Sequence, residues 1–171
     1  IFGLPGEDMA SFGAGFDRLL ALGPHEIQLG VLKRLRGTPI THLDAAHGMV
    51  YDPQPPYTVQ QTALVAVADV QRFTRLARYW DLVANSGRFK RTLALLLAST
   101  PQPAAPSSAF AAWLVFSDWL WQKTGATSAI TPEMLVDLLF DYLHRHRGLD
   151  AEACLSALLA DYRHSGARAR P

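Results

Sequence analysis

Ile1-Phe2-Gly3-Leu4-Pro5-Gly6-Glu7-Asp8 sets a short apolar run against a Gly-Leu-Pro-Gly turn and an acidic helix start. Ile1 to Leu4 reads as the end of a strand, Pro5-Gly6 breaks it, and Glu7 and Asp8 complement the positive end of a following helix. Met9, Phe12, Phe16, Leu19 and Leu20 recur at helical spacing until Gly23-Pro24 stops the run. In Glu26 to Leu32, Ile27, Leu29 and Val31 alternate with Glu26, Gln28 and Gly30, which is the period of a second strand. The connection holds a whole helix, as a parallel pair of strands requires and a hairpin does not. Residues 1–40 are therefore expected to form a β-α-β unit.

Two parallel strands are not a fold, because parallel sheets are covered on both faces and built from more units. The remaining units are expected upstream, so the chain reads as the C-terminal part of a larger protein. After the second strand, Lys33-Arg34-Leu35-Arg36-Gly37-Thr38-Pro39 and a short segment with His42, Asp44 and His47 lead to Tyr51-Asp52-Pro53-Gln54-Pro55-Pro56-Tyr57. That proline-rich stretch is unsuited to a helix interior, and a domain boundary is placed there.

Beyond it the pattern is helical. Residues 60–84 carry Val70, Phe73, Ala77, Trp80 and Val83 or Ala84 on one face, and Asn85-Ser86-Gly87 ends the run. A short helix over 89–98 precedes a linker at 99–106. Ser107 or Ser108 caps the next helix, which runs to Lys123 and stops at Gly125. Thr131-Pro132-Glu133 opens another, ending at His144-Arg145-His146-Arg147-Gly148. Asp150 caps the last, with Leu155, Leu158, Leu159 and Tyr162 expected to face the core. The expected fold class is mainly α: a short N-terminal β-α-β remnant of a parallel α/β barrel over residues 1–57, an all-helical domain over 58–166 and a disordered tail at 167–171.

Composition narrows the function classes. The 171 residues are 49% hydrophobic and 18% charged, which suits a globular chain with ample core. A net charge of +1 gives no electrostatic case for nucleic acid or an anionic membrane. No apolar run approaches the roughly 18 residues of a membrane span, so a soluble, cytoplasmic protein is expected. The single cysteine, Cys154, excludes an intramolecular disulfide, a multi-thiolate zinc site and an iron-sulfur cluster held by this chain alone.

If residues 1–40 close a barrel, chemistry sits in the loops after the strands, here Gly3 to Glu7 and Lys33 to Pro39. Glu26, Gln28 and Gly30 would then face the lumen; on an edge strand they would simply face solvent. Gln28, Lys33 and Arg36 are the candidate substrate-binding residues. Gly3 to Gly6 makes a poor phosphate cradle, because Glu7 and Asp8 occupy the helix end and repel an anion. A hydroxyl, an amine or an apolar ring suits the loop better.

The first of these motifs resembles the late barrel strand and loop of radical S-adenosylmethionine enzymes. Lys33 to Pro39 is similar to the following strand exit in that family, with Arg36 standing where a proline is common. Arg78 to Phe89 and Phe116-Ser117-Asp118-Trp119-Leu120-Trp121 resemble the helical C-terminal domain of unknown function in bacterial radical S-adenosylmethionine proteins that also carry a cobalamin-binding domain. The resemblance implies that Ile1 packs on the adenine of S-adenosylmethionine and that Gly3, Pro5, Gly6 and Glu7 border the active-site mouth. It implies an iron-sulfur cluster, S-adenosylmethionine and cobalamin for the full-length protein, none of them held by this chain alone. The partner is then the remainder of the same polypeptide, with barrel and cobalamin domain, and a small-molecule substrate. No catalytic or metal-ligating residue is assigned, and the chain by itself is expected to be inactive.

Other residues admit two readings each. Arg72, Arg75 and Arg78, with Arg88, Lys90 and Arg91 nearby, suit either an anionic ligand or a solvated face paired with Asp69 and Asp81. Trp113, Phe116, Trp119, Leu120 and Trp121 wrap nearly all sides of one helix, as a central core helix does, or as one does that docks on a partner. The docking case defines the alternative function: a helical protein-interaction module with a Trp-rich surface. His144 to Arg147 read as the cationic last turn of a helix, and the spacing of His42, Asp44 and His47 matches no strong metal motif.

Overall fold

The computed structural model describes residues 1–98 and 108–164. These residues are mainly helical, with six α-helices and one two-stranded sheet. They divide into two compact units, Ile1–Ala77 and the chain from Arg78 onward.

In the first unit, α1 spans Met9–Ala21. Asp8 caps it by accepting from the Ser11 backbone N–H, while the Ser11 hydroxyl accepts from the Asp8 N–H, a reciprocal capping box. The helix carries the chain between two segments that meet in parallel: the Phe2 N–H donates to the Gly30 carbonyl and the Leu32 N–H to that of Phe2, each at 2.8 Å. The pairing is a single bridge between Phe2 and Val31, so the expected regular strand over 26–32 does not form. Ladder partners are the reason, since, among the described residues, 26–30 gain only Phe2 as a backbone neighbour, too little to propagate a strand.

Phe2 is fully buried and stacks on Phe73 with ring centroids 4.3 Å apart, and Phe12 meets both rings edge-on. Such pairs add about 0.5–1.5 kcal/mol each beyond burial. A second cluster joins Leu32, Met49 and Val59, with Val31, Ile40 and Tyr51 packed against it.

The hairpin of this unit went unread in the sequence. Strands β1, Val50–Tyr51, and β2, Val59–Gln61, pair antiparallel, and the proline-rich stretch is the loop that joins them. Residues 60–61 are thus strand, and α2 starts later than the sequence pattern suggests, spanning Val67–Trp80. Thr62 delays it: its hydroxyl accepts from the Leu64 and Val65 N–H groups, a side-chain turn that competes with helix.

In the second unit α2 continues into a π-helical turn, Asp81–Asn85. Helices α3, Lys90–Leu97, and α4, Ala109–Thr124, follow. Ser108 caps α4 through the Ala111 N–H, and Gly125 ends it in a left-handed conformation, both as expected. Thr131 and Pro132 open α5, Pro132–Phe140, which runs into a second π-helical turn, Asp141–His146. Helix α6 is Ala151–His164, with Asp150 accepting from the Ala153 N–H. The core of this unit is aromatic. Trp80 meets Trp113 edge-on, and Phe116, Trp119 and Tyr142 pack on one another.

The buried face of α6 differs from expectation. Leu158 is buried, but Leu155, Leu159 and Tyr162 are exposed, and Cys154 and Asp161 are buried instead. Asp161 turns the helix: its carboxylate accepts from the Arg91 and Thr92 backbone N–H groups and the Thr92 hydroxyl, and so caps α3 from outside. The expected linker at 99–106 and tail at 167–171 lie outside the described residues.

Candidate functional site

The Gly3 to Glu7 loop is a turn closed on itself. The Glu7 carboxylate reaches back to accept from the Gly3 N–H at 2.9 Å and the Leu4 N–H at 3.4 Å, and the Glu7 N–H donates to the Leu4 carbonyl. Gly3 has φ +91°, and a Cβ there would lie 2.6 Å from Val59 Cγ1, so conformation and packing both require glycine. Gly6 has φ +79° with open space around it, so only conformation requires it. Ile1 is exposed, on the opposite side of the backbone from buried Phe2. Ile1 therefore has a free apolar surface, whereas the loop's N–H groups at Gly3, Leu4 and Glu7 are already engaged.

The segment from Leu29 to Gly37 is flanked by two clefts, and the candidate residues divide between them. Lys33 lines the first, a cavity of about 480 Å³. Its apolar wall is Leu29, Val31, Val70 and Ala77, and Thr58, Gln60, Gln71 and Thr74 supply polar atoms. The Lys33–Thr58 bridge and the Val59 N–H bond to the Leu32 carbonyl hold the segment against β2, while α2 forms the far side.

Arg36 lines the second cleft, about 340 Å³, with Arg34, Leu35, Gly37, Thr41 and Tyr57. Arg34 pairs with Asp44 at 3.1 Å and lies 5.5 Å from the centre of the Tyr51 ring. Burial first, and then the Asp44 charge, push the Tyr51 hydroxyl above its ordinary range. Tyr57 sits at φ +59°, a strained position for a residue with a side chain. Gln28 lines neither cleft and bonds to Glu26 at the surface.

Several of the cationic groups weighed in the sequence are engaged within the structure. Arg72 and Arg75 are half-buried and engaged. Arg145 pairs with Asp141 one turn away, and His144 Nδ1 bonds the Leu149 carbonyl oxygen at 2.9 Å. Arg147 does not serve its own helix end; its guanidinium donates to the carbonyls of Leu95, Leu96 and Ala98 and caps the C-terminal end of α3. Asp44 is committed to Arg34, and among the described residues no three His, Cys, Asp or Glu side chains converge as metal ligands would. Trp113 and Trp119 are buried, while Trp121 reaches the surface.

Sequence reasoning missed Thr58, Gln60, Gln71 and Thr74 because the cleft depends on a hairpin and a helix start that it did not place. The signal available was the pair of glutamines, Gln60 and Gln71, on either side of the helix start.

Residues 45–170 match the family model for a protein of unknown function (DUF4080). No curated protein and no solved structure matches the chain. Among the described residues no helix is long and apolar enough to cross a membrane.

Proposed function

The chain belongs to the DUF4080 family, and from that premise we propose that it is the C-terminal part of a cytoplasmic, cobalamin-dependent radical S-adenosylmethionine enzyme. In this reading residues 1–57 complete the barrel, and the helical domain covers its mouth or helps to bind substrate. The single supporting observation is the parallel pairing of Phe2 with Val31 across a full helix, the crossover from which such barrels are built. The four sequence motifs named above add to it.

The residues present fit only the border of such a site. Ile1 offers an exposed apolar surface of the kind an adenine would cover, while the loop behind it is closed by Glu7 and has few free donors. The iron-sulfur cluster and cobalamin are not matched by residues of this chain, whose one thiol, Cys154, is buried and pushed above its ordinary range by that burial. When bound elsewhere in the polypeptide, these groups supply reductive cleavage of S-adenosylmethionine and methyl transfer. In this reading Lys33 and Arg36, at the exit of the second barrel segment, bind substrate, and Gln28 contributes only if a further segment covers it.

The test is the coding sequence upstream of Ile1 and the longer polypeptide it encodes. A Cys-x-x-x-Cys-x-x-Cys loop, with iron-dependent cleavage of S-adenosylmethionine by that polypeptide, is the expected result. An unrelated upstream domain, or cleavage by the 171-residue chain alone, overturns the proposal. Of the three tryptophans on which the interaction-module reading rests, Trp113 and Trp119 are spent on the core and Trp121 reaches the surface.

A further inference from the structure

We propose that the Lys33 cleft binds a small amphipathic organic anion, its charged head on Lys33 and its apolar body against Leu29, Val31, Val70 and Ala77. The wall composition is that of a ligand site: mostly apolar, with a few polar groups to fix orientation. Among the described residues Lys33 is the sole charged one lining the cleft, and it has no ion-pair partner there. Among the described residues no carboxylate lines the cavity to compete for it. The Thr74 hydroxyl donates to the Val70 carbonyl and the Gln60 amide to Asp52 and Thr58, which leaves the Gln71 amide on α2 and the Thr58 hydroxyl on the hairpin as donors on two sides of a bound molecule.

An independent observation comes from Gly30. It lines the cleft, its φ lies outside the left-handed region, and a Cβ built on it meets nothing within 4 Å. Neither conformation nor packing accounts for glycine here, in contrast to Gly3. A glycine within an extended segment is one mark of close approach to the backbone, by Phe2 on one side here and by a ligand where the cleft lies open. At Gly30 that open volume is the floor of the cleft. A phosphate or other compact anion would leave the four apolar residues uncovered, and an uncharged apolar ligand would leave Lys33 unused; a carboxylate with a short alkyl or aryl body serves both.

Calling this ligand the substrate rests on the enzyme reading, whereas the binding itself does not. The test uses the whole 171-residue chain with octanoate, octan-1-ol and acetate, followed by titration calorimetry and amide chemical shifts. Saturable octanoate binding is expected, with octan-1-ol and acetate each weaker. Lys33→Gln should weaken octanoate about two- to fivefold, as loss of an exposed ion pair does, and leave octan-1-ol unchanged. Gly30→Leu, which fills the floor without backbone strain, should abolish binding of both while leaving the circular dichroism spectrum intact. Should that variant not fold, Thr74→Leu fills the cleft from an exposed helix position. Absence of octanoate binding, binding undisturbed by the filling variant, or octan-1-ol binding as tightly as octanoate overturns the proposal. None of these outcomes bears on the upstream cysteine loop, so this inference and the enzyme reading fail separately.

Discussion

Asp161 holds Thr92 by two hydrogen bonds, Oδ2 accepting from the Thr92 backbone N–H at 2.9 Å and from its hydroxyl at 2.8 Å. Its other oxygen accepts from the Arg91 N–H at 2.9 Å. A buried carboxylate on α6 thus takes the place of the missing side-chain cap at Phe89 and sits at the positive end of the α3 dipole.

Asp161→Ala should therefore cost about 2–4 kcal/mol, because it removes three hydrogen bonds to a charged acceptor and leaves buried donors unpaired. Asp161→Asn keeps one carbonyl acceptor and should lose about half as much. Urea denaturation followed by circular dichroism measures both; a cost for alanine below that of an ordinary exposed cap would show that α3 is held by packing alone.

Arg147 does the converse at the other end of the same helix, donating to the carbonyls of Leu95, Leu96 and Ala98 at 2.8 to 3.0 Å. Lysine carries the charge but not the fork that spans three acceptors. We expect Arg147→Lys to lose about 1–2 kcal/mol and Arg147→Ala about 2–3 kcal/mol. Hydrogen exchange offers a local check, since protection should fall first in α3; equal stability of the lysine variant would show that charge alone suffices.

These two contacts also mark what the sequence could and could not disclose. The ends of α4 and α5 were legible because Ser108, Gly125, Thr131 and Pro132 act on their own neighbours. Asp161 and Arg147 act on residues about fifty or more positions away, and nothing local distinguishes them from solvated charges. The exposed Leu155 and Leu159 follow from the same contact, since burying Asp161 fixes which stripe of α6 faces inward. The hairpin was hidden for a different reason: β1 and β2 are two and three residues long, too short for a period to show, and their proline-rich loop has the composition of a linker. For the cleft, Lys33 was legible as a residue following an alternating run. Its apolar wall was not, because the wall joins residues 29–31 to a helix whose start the pattern misplaced.

The two loop glycines should differ on substitution. Gly6→Ala places a side chain at φ +79° in open space and should cost about 1 kcal/mol. Gly3→Ala adds a 2.6 Å approach to Val59 Cγ1 and should cost about 1–3 kcal/mol more. Pairing Gly3→Ala with Val59→Ala should recover part of that excess. If thermal or urea unfolding ranks the two glycine variants equally, Val59 gives way and the tight approach has no energetic weight.

Tyr142 predicts an alkaline limb of stability. Its phenol is buried against Phe116 and Trp119, and burial raises its pKa above the ordinary 10.0, with Arg147 opposing part of the shift. A raised folded pKa means that the neutral form is favoured in the folded state. The stabilisation is whole below the unfolded value of 10.0 and is lost as pH climbs from there through the folded value. Unfolding free energy should therefore fall above about pH 10, in the window where the unfolded phenol ionises and the folded one does not. Tyr51 is shifted in the same direction, so Tyr142→Phe should shallow this limb and Tyr51→Phe should remove a further part. Denaturation curves of the three proteins between neutral pH and the alkaline range decide it. An unchanged slope in Tyr142→Phe would mean that the phenol reaches water before the unit unfolds, and that the aromatic core around Phe116 opens locally.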